Sequence, residues 1–375
     1  MHWLRSSDLQ EIKMEDKLTQ ARKIINEIDA KMAELFVERM KAAELVAEHK
    51  KEHGLNVHDP VREAELIRRN SQLIENETYR EYYVNFQEST MAVSRAYQTR
   101  LLEGMRVAYS GTEGAYAHIA ASKLFPTARK IGYASFDAAY AAVASGECDV
   151  AVLPIENTYN GDVGQVADLM FSGSLYVNNM TELAISHDLL APKGVRLEDV
   201  RTVMSHPQAL GQCHEYIVNH GFEEIEFSNT ALAAKHVADL HDGKTAAIAS
   251  AEAAEIFGLD VLDTNINVSR SNTTRFVVLS RSRHEQASSD ARLRSILFFT
   301  VKNKAGALAK AVDVIARHGF NMGVLRSRPM KELMWQYYFY VETEGNLGSE
   351  NGKKMMEELK NHCDRLKSVG TYTMV

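Results

Sequence analysis

Residues 15–53 contain neither glycine nor proline, and that absence constrains the chain more than any other feature. Apolar side chains recur there at Ile24, Ile25, Ile28, Met32, Leu35, Phe36, Ala43 and Val46, close to the i, i+3, i+4, i+7 spacing of one helix face. The run predicts a single helix on the order of 55 Å long at 1.5 Å per residue, stopped at His53-Gly54. A helix of that length outruns what its own domain of about 100 residues can cover, so its apolar face calls for a partner helix from a second copy. Asp59-Pro60 offers a cap and a first-turn proline for a second helix reaching Leu73, and Tyr79–Leu102 reads as a third.

At 375 residues the chain can bury a large core, but such a length divides into two or three domains. A hydrophobic content of 45% with 25% charged residues is that of a globular protein. The net charge of −7 argues against a nucleic-acid binder, which concentrates Lys and Arg to neutralise phosphates. Cys148, Cys213 and Cys363 are far apart, odd in number and form no CxxC. Neither a disulfide framework nor a zinc site is indicated, and no metal or organic cofactor is expected. Met1 to Lys17 lacks the apolar core of a signal peptide, and no window approaches the ~20 apolar residues of a membrane span. The expected setting is the cytoplasm.

The first region, 1–104, is thus all-α. Residues 105–282 alternate strand and helix, with strands near 106–109, 150–154, 200–204, 246–249 and 276–280 and alanine-rich helices such as Phe136–Ser145 and Thr230–Leu240, an α/β pattern. Residues 283–294 are polar and read as a linker. Residues 295–375 give an α+β unit of order βαββαβ: Ser295–Val301, Ala307–His318, Asn321–Ser327, Met334–Glu342, Glu350–His362 and Leu366–Thr373.

Three polar loops stand at strand ends. An apolar strand from Val150 runs into Glu156, Asn157 and Thr158; Ser205-His206-Pro207-Gln208 follows the strand Val200–Met204; Asn272-Thr273-Thr274-Arg275-Phe276 leads into the strand Phe276–Leu279. In open α/β sheets ligands bind beyond the carboxyl ends of strands, so the loops are expected to face one cleft. Gly111 and Gly114 lack the third glycine of a dinucleotide fingerprint, which argues against a nicotinamide site.

Together these segments resemble prephenate dehydratase, whose signatures include Pro-Ile-Glu-Asn-Thr, Ser-His-Pro-Gln and Thr-Arg-Phe. All three stand here unaltered and in order. The resemblance covers about residues 105–282 and implies a two-lobed, periplasmic-binding-protein-like α/β domain that converts prephenate to phenylpyruvate. It points to Thr274 as the hydroxyl that assists the leaving group. A threonine alone is a poor acid, so it would donate within a relay, and a desolvated Glu156 is the alternative proton source. Arg275 would be a carboxylate or structural partner, and Asn157, Ser205 and Gln208 hydrogen-bonding groups. Gly306-Ala307-Leu308-Ala309 and Ser327-Arg328-Pro329 resemble the phenylalanine-binding ACT domain that follows the dehydratase, with Gly306, Ala307, Leu308, Ser327, Arg328 and Pro329 as regulatory positions. The family usually has Glu before Ser-Arg-Pro. Here Arg326 either points into that site and repels an ammonium group or points outward from its strand.

Arg22, Arg39, Lys50, Asp59, Arg62, Glu63, Ser94 and Gln98 match the small all-helical chorismate mutase over about residues 15–104. The whole chain therefore resembles the bifunctional chorismate mutase–prephenate dehydratases. Chorismate rearranges without acid, base or nucleophile, but its ether oxygen gains negative charge in the transition state, which fixed cations stabilise. Lys50 and Gln98 are assigned to the ether oxygen, Arg39 to a carboxylate and Glu63 to the substrate hydroxyl, with Arg22, Asp59, Arg62 and Ser94 in binding. Arg39 and Lys50 lie about three turns and only ~20° apart and can converge, whereas Arg22 lies ~26 Å before Arg39 along the axis. If Arg22 serves a site, that site belongs to a second protomer. The implied partners are chorismate, prephenate, phenylalanine as effector and another copy of the chain, in a homodimer or higher homo-oligomer, with no nucleic acid and no membrane.

Taken singly, these residues have plainer readings. Cations on a long helix usually form a solvated face, and Glu38, Glu48 and Glu52 are available to pair with them. Thr274 could cap a strand, Ser205 a turn, and His206 could be structural, while Cys213 reads as packing. The competing function is a ligand sensor that has lost its chemistry, against which the intact Thr274, Glu156 and mutase set argue.

Overall fold

The computed structural model describes residues 6–240, 242–268, 271–284, 293–330 and 335–374, with side chains from residue 17 onward. The chain divides into two compact units, Met1–Gly104 and Met105–Val375. In the first, α1 (Ser6–His53) is one uninterrupted helix, followed by Gly54 with φ +64. Helix α2 (Pro60–Ser71) starts at Asp59, whose carboxylate accepts the Arg62 N–H at 3.0 Å; α3 (Glu77–Glu103) starts at Asn76, which accepts the Tyr79 N–H. Each cap satisfies a donor that the helix itself cannot. Helix α1 packs on α3, and Ala43, Ala47 and Met91 are buried. The rest of the apolar stripe stays uncovered: Ile24, Ile25, Ile28, Met32, Leu35 and Phe36 are each more than two-fifths exposed.

The second unit opens with β1 (Arg106–Ser110), α4 (Tyr116–Leu124), β2 (Arg129–Tyr133), α5 (Phe136–Ser145), β3 (Val150–Asn157), β4 (Gly161–Asp162), α6 (Gly164–Ser172) and β5 (Tyr176–Ala184). The chain then crosses to a second lobe made of β6 (Asp188–Ala191), β7 (Thr202–Ser205), α7 (Pro207–Gln212), α8 (His214–His220), β8 (Glu223–Glu226), α9 (Thr230–Leu240), β9 (Thr245–Ala249), α10 (Ala251–Phe257) and β10 (Asp260–Asp263). It returns through β11 (Thr273–Ser280). The first sheet has order β2-β1-β3-β11-β5 with β4 on β3, and the second β10-β6-β9-β7-β8. Strand β11 lies antiparallel between β3 and β5. Strands β2, β4, β5, β6, β8 and β10 escaped the sequence reading. Strand β8 is a fully exposed edge with three glutamates, which lacks the half-buried pattern that marks a strand, and β5 is interrupted by Asn178-Asn179.

The chain ends in β12 (Arg294–Thr300), α11 (Ala307–Arg317), β13 (Met322–Pro329), β14 (Tyr337–Glu344), α12 (Glu350–Leu359) and β15 (Arg365–Tyr372), an antiparallel sheet of order β13-β14-β12-β15. The expected linker falls mostly on residues outside those described, as does Met334, the expected start of β14. One face of this sheet packs on α11 and α12 through Leu297, Phe299 and Val341. The opposite face, with Ile296, Phe298, Tyr338, Tyr340 and Tyr372, shares a core with Ala139, Met170, Phe171 and Val177 of the first lobe. The approach is close: a Cβ on Gly370 would stand 2.0 Å from the Val177 carbonyl oxygen. Among the described residues no helix is long and apolar enough to cross a membrane.

Charged groups pin the same seam. Arg275 of β11 donates to both oxygens of Glu342 on β14, at 3.2 and 2.8 Å, and to Glu156 of β3 at 3.0 Å. The Tyr340 and Tyr372 hydroxyls also donate to Glu342. Arg326 of β13 pairs with the other Glu156 oxygen, and Arg328 holds Asp168 at 3.1 Å and Asp162 at 2.9 Å. Glu342 is 2% exposed. Burial works against its charge, but the hydrogen bonds and charge of Arg275 prevail and hold its carboxyl below the usual range. For Arg275, burial likewise opposes the charge, and the bonds to Glu342 more than compensate, raising its pKa.

Glu342→Gln is expected to destabilise the second unit by about 3 kcal/mol, the scale for removing one partner of a buried pair. Because the folded pKa of Glu342 is depressed, its contribution is present above the unfolded carboxyl value and is lost as pH falls through the folded one. Denaturant midpoints of wild type and variant should differ at neutral pH and converge in acid. Equal midpoints at neutral pH would show that the pair adds nothing.

Candidate active sites

In the register of β3 and β11, Thr274 stands opposite Asn157 and Arg275 opposite Glu156. Side chains alternate across a strand, so Thr274 and Asn157 face the cleft between the lobes while Arg275 and Glu156 face the C-terminal sheet. The cleft holds a cavity of about 560 Å³ whose lining includes Thr274, Asn157, His206, Gln208 and Gln212. Helices α4, α7 and α9 all begin at its rim, with Tyr116, Gln208 and Thr230 in the lining. Helix N-termini carry backbone N–H groups without intrahelical partners and favour anions. Among the described residues no lysine or arginine lines this cavity.

A chain of side-chain amides runs from Thr274 into the protein, and two backbone groups fix its direction. Asn157 Oδ1 accepts the N–H of Tyr159 and of Asn160, each at 2.9 Å. Its Nδ2 must therefore face the other way, where it donates to Asn272 Oδ1 at 2.8 Å and Thr274 Oγ1 at 2.9 Å. Asn272 then presents Nδ2 to Gln212 Oε1 at 3.0 Å. The same Oε1 lies 2.9 Å from His187 Nε2, so that nitrogen carries a hydrogen. Since Thr274 Oγ1 accepts from Asn157, its own hydrogen is left for the cleft.

The helical unit holds a cavity of about 410 Å³ between α1, α2 and α3, lined by Arg39, Lys50, Asp59, Arg62, Glu63, Ser94 and Gln98. Arg22 is exposed and not among them. Arg39 donates to Ser94 Oγ and Lys50 to the Val57 carbonyl, while Arg95 pairs with Glu63. Arg62 donates to Glu65 at 3.3 Å. Gln98 is 8% exposed, and its Oε1 is buried with no partner. Such a group is costly unless a ligand meets it.

Several expectations are corrected. Glu156 does not sit desolvated in the cleft as a proton source, because it lies between the guanidinium groups of Arg275 and Arg326 on the other face of the sheet. Arg275 takes the structural role of the two left open. Ser205 is fully buried and donates to the Ile248 carbonyl at 2.5 Å, so it ties β7 to β9 instead of facing substrate. Arg328 turns away from the helices of the C-terminal unit toward Asp162 and Asp168. Arg326 does the same toward Glu156, because both lie on one face of β13, whereas Ser327, opposite Phe339, lies on the helix face with Gly306, which starts α11 at φ +78. His206 accepts the Gln208 N–H at 3.2 Å and caps α7.

The sequence reading also missed residues. Gln212 lies one helical turn after Gln208, and Arg95 lies on the Gln98 face of α3, both detectable at i,i+3 or i,i+4 spacing. Asn272 stands within a quoted motif. His187 sits in the crossing between β5 and β6, where no periodicity marks it.

This fold and cleft define a two-lobed α/β enzyme of the prephenate dehydratase class. The chain matches the family model Prephenate dehydratase over residues 107–284 and the model Chorismate mutase type II over residues 21–99. A bifunctional chorismate mutase/prephenate dehydratase of Enterobacter agglomerans is 32% identical, with 96% of each chain covered. Among solved structures, GqqA, described as a quorum quenching acylase, superposes with a TM-score of 0.67 at 29% identity, over 72% of this chain and 98% of its own. The prephenate dehydratase of Arthrobacter aurescens in complex with L-Phe does so with a TM-score of 0.65 at 24% identity, over 72% and 90%. The chain belongs to the bifunctional chorismate mutase/prephenate dehydratase family.

Proposed function

We propose that the helical cavity rearranges chorismate to prephenate and that the cleft then removes CO2 and the ring hydroxyl from prephenate to give phenylpyruvate. The observation that carries the second step is the Thr274 hydroxyl, oriented by Asn157 with its hydrogen free toward a cleft rimmed by three helix N-termini. The free N–H groups that begin α4 and α9, with the His206 and Gln208 side chains, would hold the two carboxylates; α7 has no free N–H to add, because Pro207 lacks one and those of Gln208, Ala209 and Leu210 are taken by His206. As the carboxylate leaves as CO2, its bonding pair aromatises the ring and the C–O bond breaks. Thr274 donates a hydrogen bond to the departing oxygen, where negative charge develops, and so lowers the barrier without giving up its proton; the oxygen leaves as hydroxide and takes its proton from solvent water.

In the helical cavity, Lys50 and Gln98 would stabilise the ether oxygen, with the Gln98 amide turned to offer Nε2. Arg39 would release Ser94 to grip a carboxylate, and Glu63, held by Arg95, would accept the substrate hydroxyl. The exposed apolar stripe of α1 and the distance of Arg22 from its own cavity support a homodimer in which Arg22 completes the partner's site. All three cysteines are free thiols, in keeping with the cytoplasmic setting expected for such an enzyme.

The separation into two units gives a direct test. Lys50→Ala should lower chorismate rearrangement by about 10²–10³-fold and spare prephenate conversion, and Thr274→Ala should do the reverse, the scale for losing one transition-state donor. Loss of both activities in a folded variant contradicts the assignment. Mixed and re-associated chains of Arg22→Ala and Arg39→Ala, each inactive alone, should regain part of the mutase activity, since one site per heterodimer has both arginines. No recovery despite demonstrated exchange would place Arg22 in its own chain's site or in none.

The C-terminal unit fits an ACT regulatory domain that binds phenylalanine between the α11 N-terminus and the Ser327 side of β13. Arg326 is engaged by Glu156 on the opposite face, so it does not bar an ammonium group. Titration calorimetry of the full chain should show heat of phenylalanine binding below about 1 mM, with falling prephenate turnover. No heat and undiminished turnover would leave the sheet without a regulatory role.

A further inference from the structure

We propose that His187 is a positioning residue for the dehydration: through Gln212, Asn272 and Asn157 it holds the Thr274 hydroxyl with its hydrogen turned to the cleft. The inference rests on the reading of the cleft as the dehydratase site. His187, Gln212 and Asn272 are only 3%, 9% and 4% exposed, and they form the inner wall of the cleft. Every link has one permissible orientation once the Tyr159 and Asn160 N–H groups have claimed Asn157 Oδ1. At the far end, neutral His187 with its hydrogen on Nε2 leaves Nδ1 as an acceptor 3.1 Å from the Tyr116 hydroxyl, whose single hydrogen is shared between that nitrogen and the Ser186 carbonyl. The His187 N–H donates to the Asn267 side chain's Oδ1 at 3.0 Å, and its carbonyl accepts the Ile266 N–H at 2.8 Å, so the residue bridges both crossings between the lobes.

The neutral form is the one the surroundings favour. Burial lowers the His187 pKa, and only partly do the Gln212 hydrogen bond and the Asp188 charge oppose it. The Gln212 oxygen takes two donors, from His187 and Asn272. Without the first, the amide can turn over and set its NH2 against that of Asn272. The reversal then travels to Asn157, which the backbone prevents from turning, and the conflict is relieved by separating Asn157 from its neighbours. Thr274 loses the donor that orients it, and its hydroxyl rotates freely.

The test uses the full chain with His187→Leu, which keeps bulk and removes the donor, and His187→Gln, whose Nε2 can still reach Gln212. The leucine variant should lose about ten- to a hundredfold in kcat for prephenate, the scale for misplacing a catalytic group, with KM little changed. The glutamine variant should recover to within about threefold, and an unchanged denaturant midpoint of the second unit in both variants reports an intact fold. In a Thr274→Val background His187→Leu should cause no further loss, because coupled residues are not additive. Equal losses in the leucine and glutamine variants, an effect on KM alone, additive losses with Thr274→Val, or a wild-type kcat in His187→Leu would each overturn the proposal. If the leucine variant does not fold, His187→Asn, too short to reach Gln212, replaces it with the same expected loss. A Thr274→Val variant that turns over prephenate at the wild-type rate would instead remove the reading of the cleft on which the proposal stands.

Discussion

The pairing of β11 with β3 decides which groups of the second unit face the cleft and which face the C-terminal sheet. With Thr274 opposite Asn157 and Arg275 opposite Glu156, one strand delivers a hydroxyl to the cleft and a guanidinium to the C-terminal sheet. A slip of one residue would exchange the two faces. Arg275 would then stand in the cleft, and Glu342, at 2% exposure, would be a buried charge without its counterion. The residues that follow, Phe276, Val277, Val278 and Leu279, are all buried, split between the cores on the two faces of the sheet. That two-sided burial fixes the register and with it both the cleft and the seam to the C-terminal sheet.

The same arrangement makes the dehydratase lobe and the C-terminal sheet parts of one body. They share a core built on Phe171, Phe298, Tyr338 and Tyr372 and lie in a single compact unit. Arg326 and Glu342 grip Glu156 and Arg275, each one covalent neighbour away from Asn157 and Thr274. A ligand that shifted β13 or β14 would therefore act on the strand that carries the Thr274 hydroxyl, with no intermediate element. These contacts form a direct route along which binding free energy at one site can be coupled to another.

How much was legible in the sequence follows from the range of the interactions involved. The α1 stop, the Asp59 cap and the βαββαβ order of the C-terminal unit depend on residues a few positions apart, and they were read to within a few residues. The three polar loops were legible as segments, and they do meet at or beside one cleft. The partners of their side chains were not. Glu156 meets Arg326, 170 positions away, and Ser205 meets Ile248, 43 away; a motif shows which residue is present, not which neighbour will claim it. Arg328 shows the same in reverse, since strand alternation turned it from the expected site to Asp162 and Asp168. Exposed edges such as β8 were missed because nothing buries them, and His187 because a crossing between lobes has no period.

The most direct test of the central claim is a crystal structure of the wild-type chain with a prephenate analogue whose ring is saturated, so that it cannot aromatise. The account predicts the analogue in the cleft, its ring hydroxyl within hydrogen-bond distance of Thr274 Oγ1, and Asn157 Nδ2 still donating to the same oxygen from the other side. An analogue bound outside the cleft, or one whose hydroxyl is met by another group while Thr274 points away, would contradict it.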